Sequence, residues 1–417
     1  ALVSVSTASD VVLVIGGELT DASLDAVVDI SAQALSLTAT GVSGIETQVS
    51  TLSAEIGASG LSLREVDDLA VVSISTSGNV TLNSSTGAIM DASDDGVLDI
   101  SGAAVTLNAA TGVLNLETEA SSLNVISSSG NVVLSQSGDL TLNNITAAAG
   151  NVSLAVDGDV TAGSNATHIV TNTLSLSASG SVGEGEALRT DINTLQASST
   201  ATDAALATLA FANTGTLAID SVSSVGDVSL SATGSIRDAA MDSVLDISAR
   251  ALVLTATGGI SSLETQVATL SASAGSSGVN LTEVDDLGIV AISTSGNVTL
   301  TSSTGAITDA ADDDNVDISA DALSLNAATG VLNLETQVNN LTVRNTTGDV
   351  SVSDADELIV KLINTTGAVS LDADGDISGG TGTNVTAASL IVTSSGAITL
   401  ATAINTLSAS STAAAGA

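Results

Sequence analysis

The sequence predicts an all-β solenoid, a chain wound into coils of roughly 18–20 residues whose short strands stack on those of the next coil. Three observations predict it. Short segments alternate apolar and polar residues and begin at Gly-containing turns, as in Gly78-Asn79-Val80-Thr81-Leu82, Gly150-Asn151-Val152-Ser153-Leu154 and Gly367-Ala368-Val369-Ser370-Leu371. Period two between turn signals is the mark of half-buried strands. Second, the apolar pairs recur at a step of about nine residues, through Val80/Leu82, Leu98/Ile100, Val105/Leu107, Leu114/Leu116, Leu123/Val125, Val132/Leu134 and Leu140/Leu142, too monotonously for a sandwich. Third, the 417 residues include no Pro, Cys, Trp or Tyr and one Phe, beside 38 Gly. The core is therefore built of slim aliphatic side chains, and every backbone N–H is available to a ladder.

At that coil length the chain winds about 20 coils, and with ~4.8 Å between strands it makes an elongated rod on the order of 100 Å. Coils of ~27 residues with three faces give ~75 Å instead, and the periodicity leaves both coil sizes open.

A longer repeat overlies the short one. Residues 61–118 and 279–336 align without gaps at an offset of 218, with 42 of 58 positions identical. Upstream the offset is 217, relating Val11 to Val228 and Asp29-Ile30-Ser31 to Asp246-Ile247-Ser248. The chain therefore reads as two solenoid units, 1–217 and a near-complete copy, 218–417. Two stretches, Leu263–Leu270 and Ala204–Ala212, also have the spacing of a helix. The Thr-x-Val/Ile-x-x-Leu-x-Ala arrangement at Thr47–Ala54, Thr190–Ala197 and Thr265–Ala272 is expected to form a bent coil corner.

Charge narrows the partners. Six Lys and Arg stand against 46 Asp and Glu, a net −40, which disfavours nucleic acid and anionic membrane surfaces. An apolar fraction of 44% distinguishes the chain from a disordered acidic polymer. No apolar run approaches the ~20 residues of a membrane-spanning helix. Absence of cysteine removes disulfides and thiolate metal sites.

Gly78–Leu82, Gly234-Ser235-Ile236, the Thr190–Ala197 arrangement and Glu65-Val66-Asp67-Asp68-Leu69 resemble the β-strand repeats of giant bacterial surface exoproteins, similar to filamentous haemagglutinin-like adhesins. The resemblance extends over essentially the entire chain. It implies a right-handed parallel β-helix, export across the outer membrane, an extracellular or cell-surface location, and a role in adhesion, biofilm matrix or surface fibres. No secretion domain, anchor or sugar-binding module is recognisable in the 417 residues.

One polar motif recurs four times, Asp-Ala-x-x-Asp-x-x-x-Asp-Ile-Ser. It supplies Asp21, Asp25 and Asp29; Asp91, Asp95 and Asp99; Asp238, Asp242 and Asp246; and Asp309, Asp313 and Asp317. Clustered carboxylates on a turn are candidate Ca²⁺ ligands, since hard cations take six to eight oxygens. The plainer reading makes them solvated turn residues, the last Asp of each copy pointing outward between inward apolar neighbours. Asp372-Ala373-Asp374-Gly375-Asp376 resembles part of a calcium loop without its downstream Glu. Catalysis finds few candidates. The single His168 reads as a surface or turn residue. Arg64, Arg189, Arg237, Arg250, Arg344 and Lys361 are scattered, and Phe211 is the only aromatic, so a carbohydrate-active β-helix enzyme, the alternative reading, lacks a sugar platform. Two or three carboxylates gathered in one cleft would favour that alternative. Eleven Asn-x-Ser/Thr sequons, among them Asn79, Asn151 and Asn345, are few more than chance gives.

Neither end carries a recognisable polar cap, so the chain is expected to be a window of a longer repetitive polypeptide or to stack end to end on itself. The expected function is a non-enzymatic stalk or fibre segment of an exported surface protein, with itself and surface or matrix components as partners.

Overall fold

The computed structural model describes residues 1–23 and 25–412, together with the backbone but not the side chains of 345 and 346. Sequon Asn345 thus lies outside the described side chains. Among the described residues the only helical element is one 3-10 turn, Ala204–Leu206; all else that is regular is strand. No helix among them is long and apolar enough to cross a membrane. The chain divides into two compact units, Ala1–Ala212 and Asn213–Ala417. Each is a parallel β-solenoid.

In the first unit a coil has three ladder positions. Leu61, Val80, Val105 and Leu123 stack in one row, and Leu69, Ile89, Val113 and Val132 in a second. Ile74, Ile100, Thr118 and Gln136 form the third. The second unit repeats the pattern, with Val279, Val298 and Leu323 in the first row. Rows form because alternate residues face inward: in Val80–Ser84 the first, third and fifth side chains are buried and the two between are half-buried. Side chains of Val, Leu and Ile size fill this narrow interior at crystal-like density.

Coil length is not uniform. Leu61 to Val80 is 19 residues, Val105 to Leu123 is 18, but Val80 to Val105 is 25. The Asp motifs lie in long coils, as loops bulging between two ladder positions; the coils from Ile145 to Ile169 and from Ile363 to Val385 are also long and lack the motif. Leu263–Leu270 is strand, inside Ile260–Ala274, and Ala204–Ala212 divides between the 3-10 turn and the strand Leu209–Asn213.

The expected corners lie within continuous strands, Thr47–Ala54 inside Gly41–Ile56, Thr190–Ala197 inside Leu188–Ser199 and Thr265–Ala272 inside Ile260–Ala274, and the chain turns in each where two residues separate successive buried ones, between Val49 and Leu52, Ile192 and Leu195, and Val267 and Leu270. A second bend, not expected, falls earlier. Ladder register shifts between Val42 and Ile45, Val113 and Leu116, Ile260 and Leu263, and Val331 and Leu334. Within each shift one residue has left-handed backbone: Gly44 (φ 68°), Asn115 (56°), Ser262 (57°) and Asn333 (53°). Gly and Asn tolerate that region best.

Candidate metal centres

Each Asp loop starts where a strand ends, at Asp21, Asp91, Asp238 or Asp309, and returns to the ladder at Ile30, Ile100, Ile247 or Ile318. The first Asp organises the loop. Asp91 Oδ1 accepts the Ser93 N–H at 2.8 Å and Oδ2 accepts the Asp95 N–H at 3.2 Å; Asp21, Asp238 and Asp309 do the same for their own loops. The middle residues Asp25, Asp95, Asp242 and Asp313 are exposed and accept the N–H two positions on. These are Asx turns, and they hold the loop shape.

The third Asp overturns the expectation that it points outward. Asp29, Asp99, Asp246 and Asp317 are 3–5% exposed. Alternation breaks at the loop–strand junction, so this residue and the Ile after it both face inward. Its backbone is fixed in the ladder: Ile74 N–H donates to Asp99 O at 2.6 Å, and Asp99 N–H to Glu117 O at 3.0 Å. Its Oδ2 accepts the N–H of a glutamate one coil on, at 3.1 Å for Glu46, 3.0 Å for Glu117, 2.9 Å for Glu264 and 3.0 Å for Glu335.

Those glutamates complete four triads: Asp21/Asp29/Glu46, Asp91/Asp99/Glu117, Asp238/Asp246/Glu264 and Asp309/Asp317/Glu335. In each, one oxygen from every member lies within 4.8 Å of the others. The left-handed bend places the glutamate, which follows Gly44, Asn115, Ser262 or Asn333 by two residues. Of the twelve aspartates singled out from sequence, eight thus enter triads, and the middle four do not. The glutamates carry a sequence signal of their own, a Glu-Thr pair 17 or 18 residues after the last Asp in all four copies. Asp372 and Asp374 lie in and after the strand Ala368–Ala373 and belong to no triad.

Close carboxylates raise the cost of ionising the buried member of each set. Burial pushes Asp99, Asp246 and Asp317 up to about 7, with repulsion from Asp91, Asp238 and Asp309 respectively adding to it. Burial likewise raises Asp29, Glu46, Glu264 and Glu335. A set of this kind binds protons or a hard cation. Comparison of the chain with family models, curated proteins and solved structures yields no match.

One coil beyond each triad, the Thr of the Glu-Thr pair donates to a buried acceptor. Thr47 Oγ1 reaches Glu65 Oε2 at 2.7 Å, Thr118 reaches Gln136 Oε1 at 2.8 Å, Thr265 reaches Glu283 Oε2 at 2.7 Å, and Thr336 reaches Asp354 Oδ2 at 2.8 Å. Glu65 and Glu283 are fully buried and pushed up to about 7 by that burial, against the hydrogen bonds they accept.

His168 is also a correction: it is fully buried. Its backbone is a rung of the ladder, taking Ile145 N–H at 2.7 Å and giving its own N–H to Arg189 O at 2.8 Å. Nδ1 accepts the Arg189 N–H at 3.0 Å, which leaves Nε2 as the protonated nitrogen facing Gly163 O at 3.1 Å. Backbone engages both nitrogens, and the Arg189 guanidinium lies 3.2 Å from Nε2, as around a structural imidazole.

Proposed function

We propose that this chain is a structural segment of an exported bacterial surface protein, the repetitive stalk of an adhesin or of an extracellular filament. Its partners are further coils of its own kind and components of the cell surface or matrix. One observation carries the reading. The same three-ladder coil recurs through each unit, and its sequence recurs at an offset of 218, the signature of a module multiplied for length.

The carbohydrate-active alternative draws less support. The triad acids are clamped between hydrogen-bonded coils, with Glu117 N–H on Asp99 Oδ2, and a sugar needs open space between the acid and its partner carboxylate; the three aspartates that do share an open concavity, Asp285, Asp286 and Asp309, are the one feature on the side of the enzyme reading. A surface concavity of about 810 Å³ in the second unit is lined by Arg250, Gln266, Asp285, Asp286 and Asp309 among others, without an aromatic ring for a sugar face, and the one Phe of the chain is buried.

Antibodies against the chain, applied to intact source cells, test the proposal. Immunogold labelling of filaments outside the outer surface is the expected result. Labelling that appears only after permeabilisation, or release of reducing ends from a polysaccharide panel by the purified chain, contradicts it.

A further inference from the structure

We propose that each acid triad is the binding site of one divalent cation of the Ca²⁺ class, which ties an Asp loop to the coil that follows it. The ligands are the first and third aspartates of the loop and the glutamate after the left-handed bend, not the three loop aspartates together.

Four oxygens carry the inference. Glu46 Oε2, Glu117 Oε2, Glu264 Oε2 and Glu335 Oε2 are each shut off from solvent and have no hydrogen-bond partner. Each belongs to a group whose other members are carboxylates, so with the set ionised no protein group donates to it, and only a shared proton or a cation can satisfy it. Buried acceptors are otherwise satisfied as a rule, and here the same atom is orphaned in all four copies.

Two further loops act as internal controls. Ile145 N–H donates to His168 O, and Ile363 N–H to Asn384 O, as Ile74 N–H does to Asp99 O. Arg189 N–H meets His168 Nδ1, and Ala401 N–H meets Asn384 Oδ1, both at 3.0 Å, as Glu117 N–H meets Asp99 Oδ2. His168 and Asn384 therefore occupy the position of the third Asp. Each brings a nitrogen that an aspartate lacks, facing Gly163 O at 3.1 Å and Gly380 O at 3.3 Å. In the first of these loops Arg189 stands where the glutamate does, and its guanidinium donates to Ala166 O at 2.8 Å and to Asn165 O. A positive group built into the protein thus closes that corner.

All three acids change together. The sets are Ala162, His168 and Arg189 in one loop and Gly379, Asn384 and Ala401 in the other, against Asp, Asp and Glu in four. A loop-shaping role for the first Asp does not require a glutamate one coil away, whereas a shared ligand does.

Only oxygen donors converge, which selects a hard cation over zinc or copper. The three oxygens lie within 4.8 Å of one another, inside the ~4.6–5.2 Å that opposed ligands span around Ca²⁺.

Isothermal titration of the chelator-treated chain with CaCl₂, together with thermal melts in EDTA, Ca²⁺ or Mg²⁺, tests the proposal. The expected result is up to four equivalents of Ca²⁺ bound and a midpoint that rises more in Ca²⁺ than in equal Mg²⁺. In E46Q/E117Q/E264Q/E335Q both the binding and the Ca²⁺-specific rise are lost, while the EDTA melt stays cooperative at or above the wild-type midpoint, because the amide donates to the aspartates. Single E117Q removes one equivalent, which serves if the quadruple variant does not fold. D25N/D95N/D242N/D313N keeps the binding. Absence of Ca²⁺ binding, equal rises in the two cations, or binding that survives the glutamate changes overturns the proposal. None of these results bears on whether the chain is a surface stalk, which the antibody labelling decides separately.

Discussion

Glu65 and Glu283 are single residues on which pH acts in a defined direction. Their carboxyls are raised to about 7 in the folded chain from an unfolded value near ~4.3. The folded state therefore holds the proton more tightly, so their contribution to stability is complete below pH ~4 and is lost as pH rises through about 7. Gln136 is the neutral isostere in the same ladder position. Its Oε1 accepts from Thr118, and its Nε2 donates to Ala120 O at 2.9 Å and Ser137 O at 2.6 Å. We expect E65Q/E283Q to melt within a degree or two of wild type at pH 5 and several degrees above it at pH 8.5, given ~2–4 °C per kcal/mol for units of this size. Equal differences at both pH values, measured in EDTA, would contradict the assignment. Ser262 offers a second residue-scale test. It is the one bend residue that is neither Gly nor Asn, at φ 57°, and Ser262→Asn should stabilise by about 0.5–1 kcal/mol in a denaturant titration. At this scale the sequence was least legible. The burial of Asp99 and His168 depends on a junction where two successive residues turn inward, and period-two alternation has no symbol for that. Glu117 pairs with Asp99 across 18 residues, a distance that acquires meaning only once the coil length is known.

At the level of elements, the short strands were legible because they follow turn residues and are buried on one face only. Val80-Thr81-Leu82 reads as a strand from the sequence and is one. The left-handed bends were not legible, because such a residue flanked by strand on both sides leaves the alternation nearly intact; Gly112–Ser127 runs sixteen residues through one. Ladder position also sets mutational cost. Ile100 is fully buried between Ile74 and Thr118, and the interior is too narrow to collapse onto a cavity. Ile100→Ala should cost ~2–5 kcal/mol. Val72, 48% exposed on a neighbouring strand, should cost under ~0.5 kcal/mol when changed to Ala. Chemical denaturation of the two variants compares them directly, and similar losses would mean that the rows are not the core.

For the molecule as a whole, charge weighs most after the ladder. A net −40 with two ion pairs among the described residues, Arg189–Glu186 and Arg250–Asp227, leaves self-repulsion largely uncompensated. Screening by salt should therefore raise the melting midpoint between ~10 mM and ~0.15 M NaCl, where the Debye length falls from ~30 to ~8 Å. A flat response would place the charges too far apart to matter. Architecture was legible at this scale through monotony: the nine-residue rhythm and the offset of 218 announce a wound chain. The usual coil length of 18–20 residues was legible too, whereas the longer coils were not, since their loops interrupt the rhythm above a constant ladder. The central claim, that each unit is a stack of backbone-paired coils from which the Asp loops protrude, is tested most directly by hydrogen–deuterium exchange read peptide by peptide. Slow exchange is expected in the strands within 61–91, 100–127, 279–309 and 318–343, with fast exchange in the loops 92–98, 239–245 and 310–316. Ladder peptides that exchange as fast as the loops would contradict it.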